Sequence, residues 1–343
     1  MNDGSGNWWL VGGTVTVIFA ALMSALLIVA LYPWLERYAL AKPNARSSHR
    51  TPTPQGGGIA VIAATLGAVG VALAIFSRGA LPDLNLLKIV AAALIMTCLG
   101  AFDDIRPLPA GMRLILQAVV IAGVIYTLPD QLRVVPLLPW WLERVLLLIG
   151  GLWFVNLVNF MDGIDWMTVA EVIPITVTLT VLGITGALPS YAALLTLALG
   201  GAMIGFAYFN RPTAKIFLGD VGSLPIGLIL GWLLLLVAGG GHLIAAVVTP
   251  LYYLADATIT LFRRLIRREP FWEAHRSHFY QRATDRGFTI MAVVARVFVV
   301  NIGLGILAVI SVVVPGRPCE IAALTAAAIL VAWLLAVFER GRT

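Results

Sequence analysis

Seven carboxyl and amide side chains in this sequence have the types and spacing that phosphate chemistry needs. They are Asp103, Asp104, Asn156, Asn159, Asp162, Asp165 and Asp220. The middle four recur every three residues, a spacing that places neighbours on one helical face. Carboxylates that converge at one place suit Mg²⁺, which takes one or two of them together with phosphate oxygens. If the fold brings these segments together, the set predicts phosphate chemistry on a nucleotide or a lipid.

The adjacent pair Asp103 and Asp104 cannot both stay charged in a dry site without help, because close carboxylates repel each other. A metal ion, a basic group or a shared proton would each relieve the repulsion, and the sequence leaves these three open. Arg113 lies nine residues beyond Asp104 and can face a phosphate. Asp220 stands between two glycines in FLGDVGS (217–223), where the backbone is free to turn, and we expect it to carry the metal.

Two further segments carry histidine and arginine. His275 and His278 are three residues apart, with Arg276 between them. Mg²⁺ seldom takes imidazole, and zinc has no cysteine nearby, so we interpret this group as a cationic cradle for a diphosphate. The segment KPNARSSHRTPTPQGGG (42–58) contains His49, a further substrate-binding candidate. It ends in three glycines, whose amides we expect to be free to meet an anion.

The elements that must position these residues are membrane helices. The chain has 343 residues, of which 60% are hydrophobic and 12% are charged, about half the charge of a soluble domain. This composition excludes an ordinary cytosolic enzyme, and it excludes a disordered chain because disorder needs low hydrophobicity. The two cysteines lie far apart and form no disulfide framework. Long apolar runs without alternation exclude a β-barrel.

Eleven apolar runs have about the length that a membrane helix needs, near 20 residues. They cover residues 10–32, 56–77, 86–102, 111–128, 144–161, 166–186, 189–209, 222–240, 242–262, 290–314 and 321–338. The stretch 129–143 has three prolines and predicts a loop. The fold class is therefore an all-α, polytopic membrane protein of about eleven helices, in which residues 1–343 form a single transmembrane catalytic domain.

The counts of lysine and arginine predict the orientation. Seventeen of the 23 lie on one side of the membrane and five on the other. Because cytoplasmic loops are enriched in these residues, we expect the amino terminus outside and the carboxyl terminus in the cytoplasm. Basic cytoplasmic loops also account for the net charge of +6, so no nucleic-acid partner is predicted. The candidate active-site loops then lie on the cytoplasmic side. They are loops 36–55, 103–113, 162–166, 210–221 and 263–289.

Five segments, taken in order, resemble the polyprenyl-phosphate N-acetylhexosamine-1-phosphate transferases of glycosyltransferase family 4 type. They are PTPQGGG (52–58), the aspartate pair (103–104), NLVNFMDGID (156–165), FLGDVGS (217–223) and AHRSH (274–278). Each segment alone is moderately specific, and five in order are highly specific. The eleven-helix plan resembles that of the branch that initiates O-antigen synthesis.

The resemblance implies an enzyme that transfers an N-acetylhexosamine-1-phosphate, or a 6-deoxy derivative, from a UDP-sugar to polyprenyl (undecaprenyl) phosphate and releases UMP. It implies Mg²⁺ as cofactor, with Mn²⁺ as an alternative, and a multi-pass location in the bacterial inner membrane with the site facing the cytoplasm. A homodimer is left open. The reaction would be the first membrane step of O-antigen or other cell-surface polysaccharide synthesis.

The resemblance also implies a role for each candidate residue. Asp103 and Asp104 match the family's catalytic pair, and Asp220 matches its metal ligand, with help from Asn159. The substrate-binding candidates are His49, Arg113, Asn156, Asp162, Asp165, His275, Arg276 and His278. Whether Asp103 acts as a base or as a nucleophile in two steps is left open.

The sequence departs from the family pattern at three places. HRSH replaces the triple-histidine form of the peptidoglycan branch, and Arg106 and Arg113 stand where other members carry lysine. Trp166 follows Asp165 where glycine is common. These departures argue against a muramoyl-pentapeptide substrate.

Two other classes of protein are weighed against this interpretation. A transporter or lipid flippase would place ionisable residues near the bilayer midplane, whereas only Glu171 and Asp256 lie within apolar runs, both near their cytoplasmic ends. A prenyl-transferring enzyme would need two Asp-x-x-x-Asp motifs, which this sequence lacks.

Overall fold

The structure, a computed structural model, describes residues 5–41, 52–76, 83–269 and 275–341. Helices dominate these ranges, with one antiparallel pair of two-residue strands, β1 (Leu40–Ala41) and β2 (Thr53–Pro54). The helices are α1 (Ser5–Tyr38), α2 (Gly57–Phe76), α3 (Leu84–Ile105), α4 (Ala110–Tyr126), α5 (Trp140–Met161), α6 (Met167–Ile184), α7 (Ser190–Asn210), α8 (Asp220–Gly239), α9 (Leu243–Val248), α10 (Leu251–Ile266), α11 (Phe279–Asp285), α12 (Ile290–Val313) and α13 (Arg317–Arg340).

The all-α, polytopic class is confirmed. In the described parts of the chain, nine helices are long and apolar enough to cross a membrane. They are α1, α2, α3, α5, α6, α7, α8, α12 and α13. Helix α4 is apolar as well but has 17 residues. The count of eleven and the orientation stay predictions.

The predicted single helix over residues 242–262 is wrong. The chain is helical up to Val248, and a new helix begins at Leu251. Pro250 lies between them, and proline both lacks the backbone N–H of a helical bond and clashes with the preceding turn. The break leaves two short helices, α9 and α10, of which α10 ends in the arginine-rich segment.

Five predicted loops are shorter than expected. Helix α1 continues to Tyr38 inside the predicted loop 36–55, and in 103–113 α3 continues to Ile105 and α4 begins at Ala110. Helix α8 begins at Asp220, inside the predicted loop 210–221, and α5 begins at Trp140, inside the predicted loop 129–143. The predicted loop 263–289 contains the last turn of α10 and all of α11. Asp220 is consequently the first residue of a helix, where the positive end of the helix dipole favours a carboxylate.

Helix α8 lies at the centre of the bundle and packs against α2, α3, α5 and α9. Two of these contacts bring backbones together. A Cβ atom built on Gly58 would lie 2.2 Å from the Cα of Gly222, and one built on Gly100 would lie 2.2 Å from the carbonyl oxygen of Asp220. Helices α2 and α3 can therefore meet the first turn of α8 only because these positions lack side chains.

The three glycines that open α2 do not offer their amides to an anion, as the sequence had suggested. The amides of Gly56 and Gly57 donate to the carbonyl of Phe217 at 3.1 and 2.9 Å, and Gly58 donates to Leu218 at 2.9 Å. The glycines instead attach the start of α2 to the segment that leads into α8. The contribution of this motif is close packing.

Replacing Gly58 by alanine should lower the thermal unfolding temperature of the detergent-solubilised protein. The new methyl group would collide with Gly222, and overpacking of this kind costs about 1–3 kcal/mol. Gly70 lies in the same helix, and a Cβ atom built on it would have nothing within 4 Å. Gly70→Ala should therefore leave the temperature unchanged or raise it, because alanine is the better helix former. Equal effects of the two substitutions would contradict the close approach of α2 and α8.

Candidate active site

Asp220 and Asn159 are in contact where the end of α5 meets the start of α8. The side-chain amide of Asn159 donates to Asp220 Oδ1 at 2.7 Å and to Ser223 Oγ at 2.9 Å. The two residues predicted to hold a metal are therefore neighbours, although 61 positions separate them. Ser223 was not predicted, and it lies on the same first turn of α8.

Asp104 supplies the cap that the first turn of α8 lacks. The residue before this helix is Gly219, which has no side chain to accept the free amides. Asp104 Oδ1 accepts from the amide of Asp220, and its Oδ2 accepts from Val221, both at 3.0 Å. Gln55 Nε2 also donates to Asp104 Oδ1. Both oxygens of Asp104 are thus engaged in holding Asp220 in place.

Asp103 points to a different partner, Arg113 at the start of α4. Its Oδ1 accepts from the amide of Leu108 at 2.6 Å, and its Oδ2 lies 3.0 Å from Arg113 Nη1. The same Nη1 atom lies 3.6 Å from Asp220 Oδ2. One guanidinium therefore bridges the carboxylates of Asp103 and Asp220. Within the adjacent pair, Asp103 thus has a basic partner and Asp104 has the α8 amides.

The loop between α5 and α6 carries two further predicted acids. Asp165 Oδ2 accepts from the amide of Ala214 at 3.0 Å, and Thr168 Oγ1 donates to Asp162 Oδ1. The pKa of Asp162 is raised to about 7, chiefly by burial and also by the nearby charges of three acids, while the hydrogen bond from Thr168 lowers it. These acids are Asp220, Asp104 and Asp165. Asp162 therefore belongs to the acid cluster electrostatically, and Asp165 anchors the segment that leads to α8.

Trp166 ends this loop in a left-handed conformation, with φ of 64°. Glycine adopts this conformation without strain, whereas a residue with a side chain rarely does. In this chain the indole Nε1 donates to the carbonyl of Ala207 at 2.6 Å, and the backbone amide donates to Asn210 Oδ1 at 2.8 Å. These bonds offset the strain and join the loop to the end of α7.

Asn156 lies away from the acids, and its partner was not predicted. Its Nδ2 donates to Gln117 Oε1 at 2.6 Å and to the carbonyl of Leu152 at 2.8 Å. Gln117 is fully buried and lies one helical turn after Arg113 on the same face of α4. A polar residue four positions from Arg113 inside an apolar run was the signal that could have found it.

An apolar cavity of about 280 Å³ begins next to this pair. Helices α4, α5, α8, α9 and α10 contribute its walls, among them Ile121, Val155, Gly227 and Leu254. Ile121 lies one turn beyond Gln117, and Val155 directly precedes Asn156. The Asn156–Gln117 pair thus lies between the acids and an apolar cavity inside the bundle.

The histidine segment lies at the start of α11. The rings of His275 and His278 stack with centroids 4.9 Å apart. Tyr280 Oη donates to the carbonyl of Phe160 at 3.1 Å, which attaches this segment to the Asp162 loop. Arg276 extends along α11, where its Nη2 lies 2.9 Å from Asp285 Oδ1.

The structure thus assembles most of the predicted site. Asp103, Asp104, Asn159, Asp220 and Arg113 are joined through the bonds above, with Asp162 and Asp165 on the adjoining loop. Asn156 lies one turn deeper, the histidines lie beside the cluster, and His49 lies outside the described residues. Burial or hydrogen bonding reveals four residues that the sequence reasoning missed, namely Gln55, Gln117, Ser223 and Asp256. Gln55 and Ser223 lie inside the quoted segments PTPQGGG and FLGDVGS, which was the signal for them.

The donor set fits Mg²⁺ better than a transition metal. In the described ranges no three histidine, cysteine or acidic side chains form a metal-binding group, so a resident ion would need ligands from elsewhere. Mg²⁺ is commonly held by one or two carboxylates and completed by substrate phosphates. Asp220, with the carboxamide of Asn159 beside it, offers such an incomplete oxygen set.

Comparisons with known proteins show which family and which relatives this chain is similar to. A sequence model of glycosyl transferase family 4 matches residues 86–238. A probable undecaprenyl-phosphate N-acetylglucosaminyl 1-phosphate transferase of Bacillus subtilis is 24% identical over 86% of this chain and 85% of its own length. A phospho-N-acetylmuramoyl-pentapeptide-transferase of a Synechococcus species is 31% identical over 65% of this chain and 67% of its own. A decaprenyl-phosphate N-acetylglucosaminephosphotransferase of Mycobacterium tuberculosis is 30% identical over 56% of this chain and 52% of its own.

Asp162→Asn should raise the unfolding temperature more at pH 8 than at pH 5, measured in detergent with a chelator present. The pKa of this carboxyl rises from 3.8 to about 7 on folding. The protonated carboxyl favours the folded state. This contribution is fully present below pH 3.8 and is lost as the pH rises through 7, because the buried group must then ionise. Asparagine keeps an acceptor for Thr168 and removes the charge. Asp130→Asn, at an exposed position, should change neither value, and equal gains at both pH values for Asp162→Asn would contradict the assignment.

Asp104→Asn should lower the unfolding temperature, because its amide nitrogen would face one of the two α8 amides that the carboxylate now accepts. Loss of a helix cap costs about 0.5–2 kcal/mol. Asp83 caps α3 through a single bond from Asn85, of 2.8 Å, which asparagine can also accept. Asp83→Asn is therefore the matched control and should be neutral. An unchanged unfolding temperature in Asp104→Asn would show that the cap contributes nothing.

Proposed function

The chain belongs to glycosyl transferase family 4, and on this premise we propose that it transfers an N-acetylhexosamine-1-phosphate from a UDP-sugar to a polyprenyl phosphate. UMP is the other product. The donor class is supported by two of the matched relatives, whose names specify N-acetylglucosamine phosphate and a polyprenyl phosphate acceptor.

The observation that carries this proposal is the convergence of Asp103, Arg113 and Asp220 at one end of the bundle. An apolar cavity lies about two helical turns deeper along α4 and α8. The acceptor has a phosphate head on a tail that cannot leave the bilayer, whereas the donor is soluble and anionic. They can meet only at a membrane surface, next to apolar space for the tail. Attack of one phosphate on another must overcome charge repulsion, and the partly buried guanidinium of Arg113, between two acids, is placed to do so.

The contacts favour different roles for the two adjacent aspartates. Asp104 is held through both oxygens by the start of α8 and acts by positioning Asp220. Asp103 faces Arg113 and Asp220, so it is the acid placed to take a proton from the lipid phosphate or to orient it. A phosphate oxygen of the lipid then attacks the sugar-bearing phosphorus, and UMP leaves with the bridging oxygen.

Asp220 and Asn159 would hold Mg²⁺ in this scheme, and Arg113 would face the acceptor phosphate. When bound, the ion would offset the negative charge that develops on the phosphates. Histidine donors at the start of α11 would meet the diphosphate or sugar hydroxyls. In this scheme the protein residues bind and orient the two substrates and exclude water from them.

The donor sugar, the pathway and the side of the membrane that the site faces are proposed from the sequence. The HRSH form of the histidine segment supports a 6-deoxy-N-acetylhexosamine donor and O-antigen initiation over a muramoyl-pentapeptide donor. The distribution of lysine and arginine supports an inner-membrane protein whose site faces the cytoplasm. A transporter is disfavoured, because Asp256 accepts hydrogen bonds from the α11 segment and Glu171 accepts one from Asn301, so neither lines a described polar pathway.

The decisive experiment is product analysis with purified protein, undecaprenyl phosphate, Mg²⁺ and a panel of UDP-N-acetylhexosamines. Release of UMP with at least one donor is expected. Asp220→Asn should reduce the rate by about 10²-fold or more, as for a lost electrostatic group, and should raise the Mg²⁺ concentration needed for half-maximal rate. Absence of UMP with every donor would overturn the proposal, and full activity of Asp220→Asn at ordinary Mg²⁺ would remove Asp220 from the metal site.

A further inference from the structure

Asp256 in α10 is fully buried and accepts five hydrogen bonds. The donors are Tyr252 Oη (3.1 Å), Thr260 Oγ1 (3.4 Å), His278 Nδ1 (3.2 Å), the amide of Phe279 (3.0 Å) and the amide of Tyr280 (3.2 Å). A buried carboxylate is costly unless its oxygens are satisfied. Three of the five donors come from the histidine segment, so this segment and Asp256 depend on each other.

The hydrogen bonds that Asp256 accepts fix the residue at which α11 begins. This helix has seven residues, too few to be stable in isolation. The first two backbone amides of α11, those of Phe279 and Tyr280, donate to Asp256, which lies on a different helix, α10. His278 occupies the N-cap position. The place of His278 is therefore set by a residue 22 positions earlier in the chain.

The same carboxylate fixes which ring nitrogen of His278 carries a proton. A carboxylate only accepts hydrogen bonds, so Nδ1 must be the protonated nitrogen facing Asp256. In the neutral ring Nε2 is then the acceptor, and in the charged ring it is a second donor. Either way, Asp256 leaves Nε2 as the atom of this ring that can meet a ligand.

A second attachment joins this segment to the acid cluster. Tyr280 Oη donates to the carbonyl of Phe160, and a Cβ atom built on Gly163 would lie 2.1 Å from that hydroxyl. Gly163 directly follows Asp162. Asp256 at one side and the Phe160–Gly163 turn at the other thus hold the start of α11 in one position.

We propose that Asp256 is a positioning residue that holds His278 with Nδ1 protonated and presents Nε2 to the diphosphate of the nucleotide-sugar donor. The site and reaction are those of the proposed function, on which this inference rests. Asp256 itself does not touch the substrate in this assignment and acts through His278 and α11.

The direct test is ¹⁵N NMR of protein labelled at histidine, in detergent micelles and without substrate. The chain has four histidines, and the His278 signals are those lost in His278→Asn. Wild-type protein should show Nδ1 protonated, with Nε2 as the bare nitrogen of the neutral ring. Asp256→Asn removes the negative charge that favours a protonated Nδ1, in either orientation of its amide, and should raise the share of rings protonated at Nε2. A wild-type ring with a bare Nδ1 would overturn the proposal without any variant.

Kinetics supply the second test, because a merely structural defect would affect both substrates. Asp256→Asn should raise the donor KM or lower turnover about 10- to 100-fold, in line with lost hydrogen bonds to a charged group, and should leave the acceptor KM unchanged. Glu171→Gln is the matched control, since it also converts a buried carboxylate to an amide but meets Asn301 instead. It should stay within about threefold of wild type in each parameter, the scale of a minor effect.

Tyr280→Phe keeps the experiment decisive if Asp256→Asn does not fold. It removes the bond to Phe160 and leaves Asp256 and His278 in contact, so Nδ1 should stay protonated while the donor KM rises. An unchanged donor KM in this variant contradicts the proposal. If His278 has the expected tautomer but no donor yields UMP, the proposed function fails and the positioning role stands. If UMP forms and Asp256→Asn alters neither tautomer nor donor KM, only the positioning role fails.

Discussion

The contact between the Asp104 carboxylate and the first two amides of α8 is the constraint on which the site depends. The helix starts after Gly219, which offers no side chain for capping, and amides without partners are costly inside a membrane protein. Asp104, at the end of α3, satisfies both amides. It thereby joins the end of one membrane helix to the start of another. Asp220, the first residue of α8, is fixed by this joint.

Charge is the second constraint. Asp103, Asp104, Asp162 and Asp220 lie close together. Burial is the larger cause of the raised pKa of Asp162, about 7, and the charges of neighbouring acids add to it. Arg113 offsets part of this charge by lying between Asp103 and Asp220. A site with this surplus of negative charge attracts cations, and the divalent ion of the proposed reaction would offset what Arg113 leaves.

Asp104 and Asp256 solve the same problem at two places. Each is an acid on one helix that accepts the first two amides of another, α8 for Asp104 and α11 for Asp256. In each case the capped helix begins at or directly after a residue of the proposed chemistry, Asp220 or His278. Two carboxylates that each cap another helix therefore fix the position of the residues to which the proposed function assigns contact with metal or substrate.

The membrane class, most helix positions and the set of acids follow from the amino-acid sequence, because apolar runs and motif spacing are local properties of the chain. The break at Pro250 is only half specified by the sequence: proline disfavours a continuous helix, yet Pro174 and Pro225 lie inside α6 and α8. The amides of Gly56–Gly58 were also misassigned, because their partners lie about 160 positions away. Packing in three dimensions was needed to separate Asp103, which faces Arg113, from its neighbour Asp104, which caps α8. Adjacent residues on a helix point in different directions, and what each one meets depends on helices that the sequence does not place.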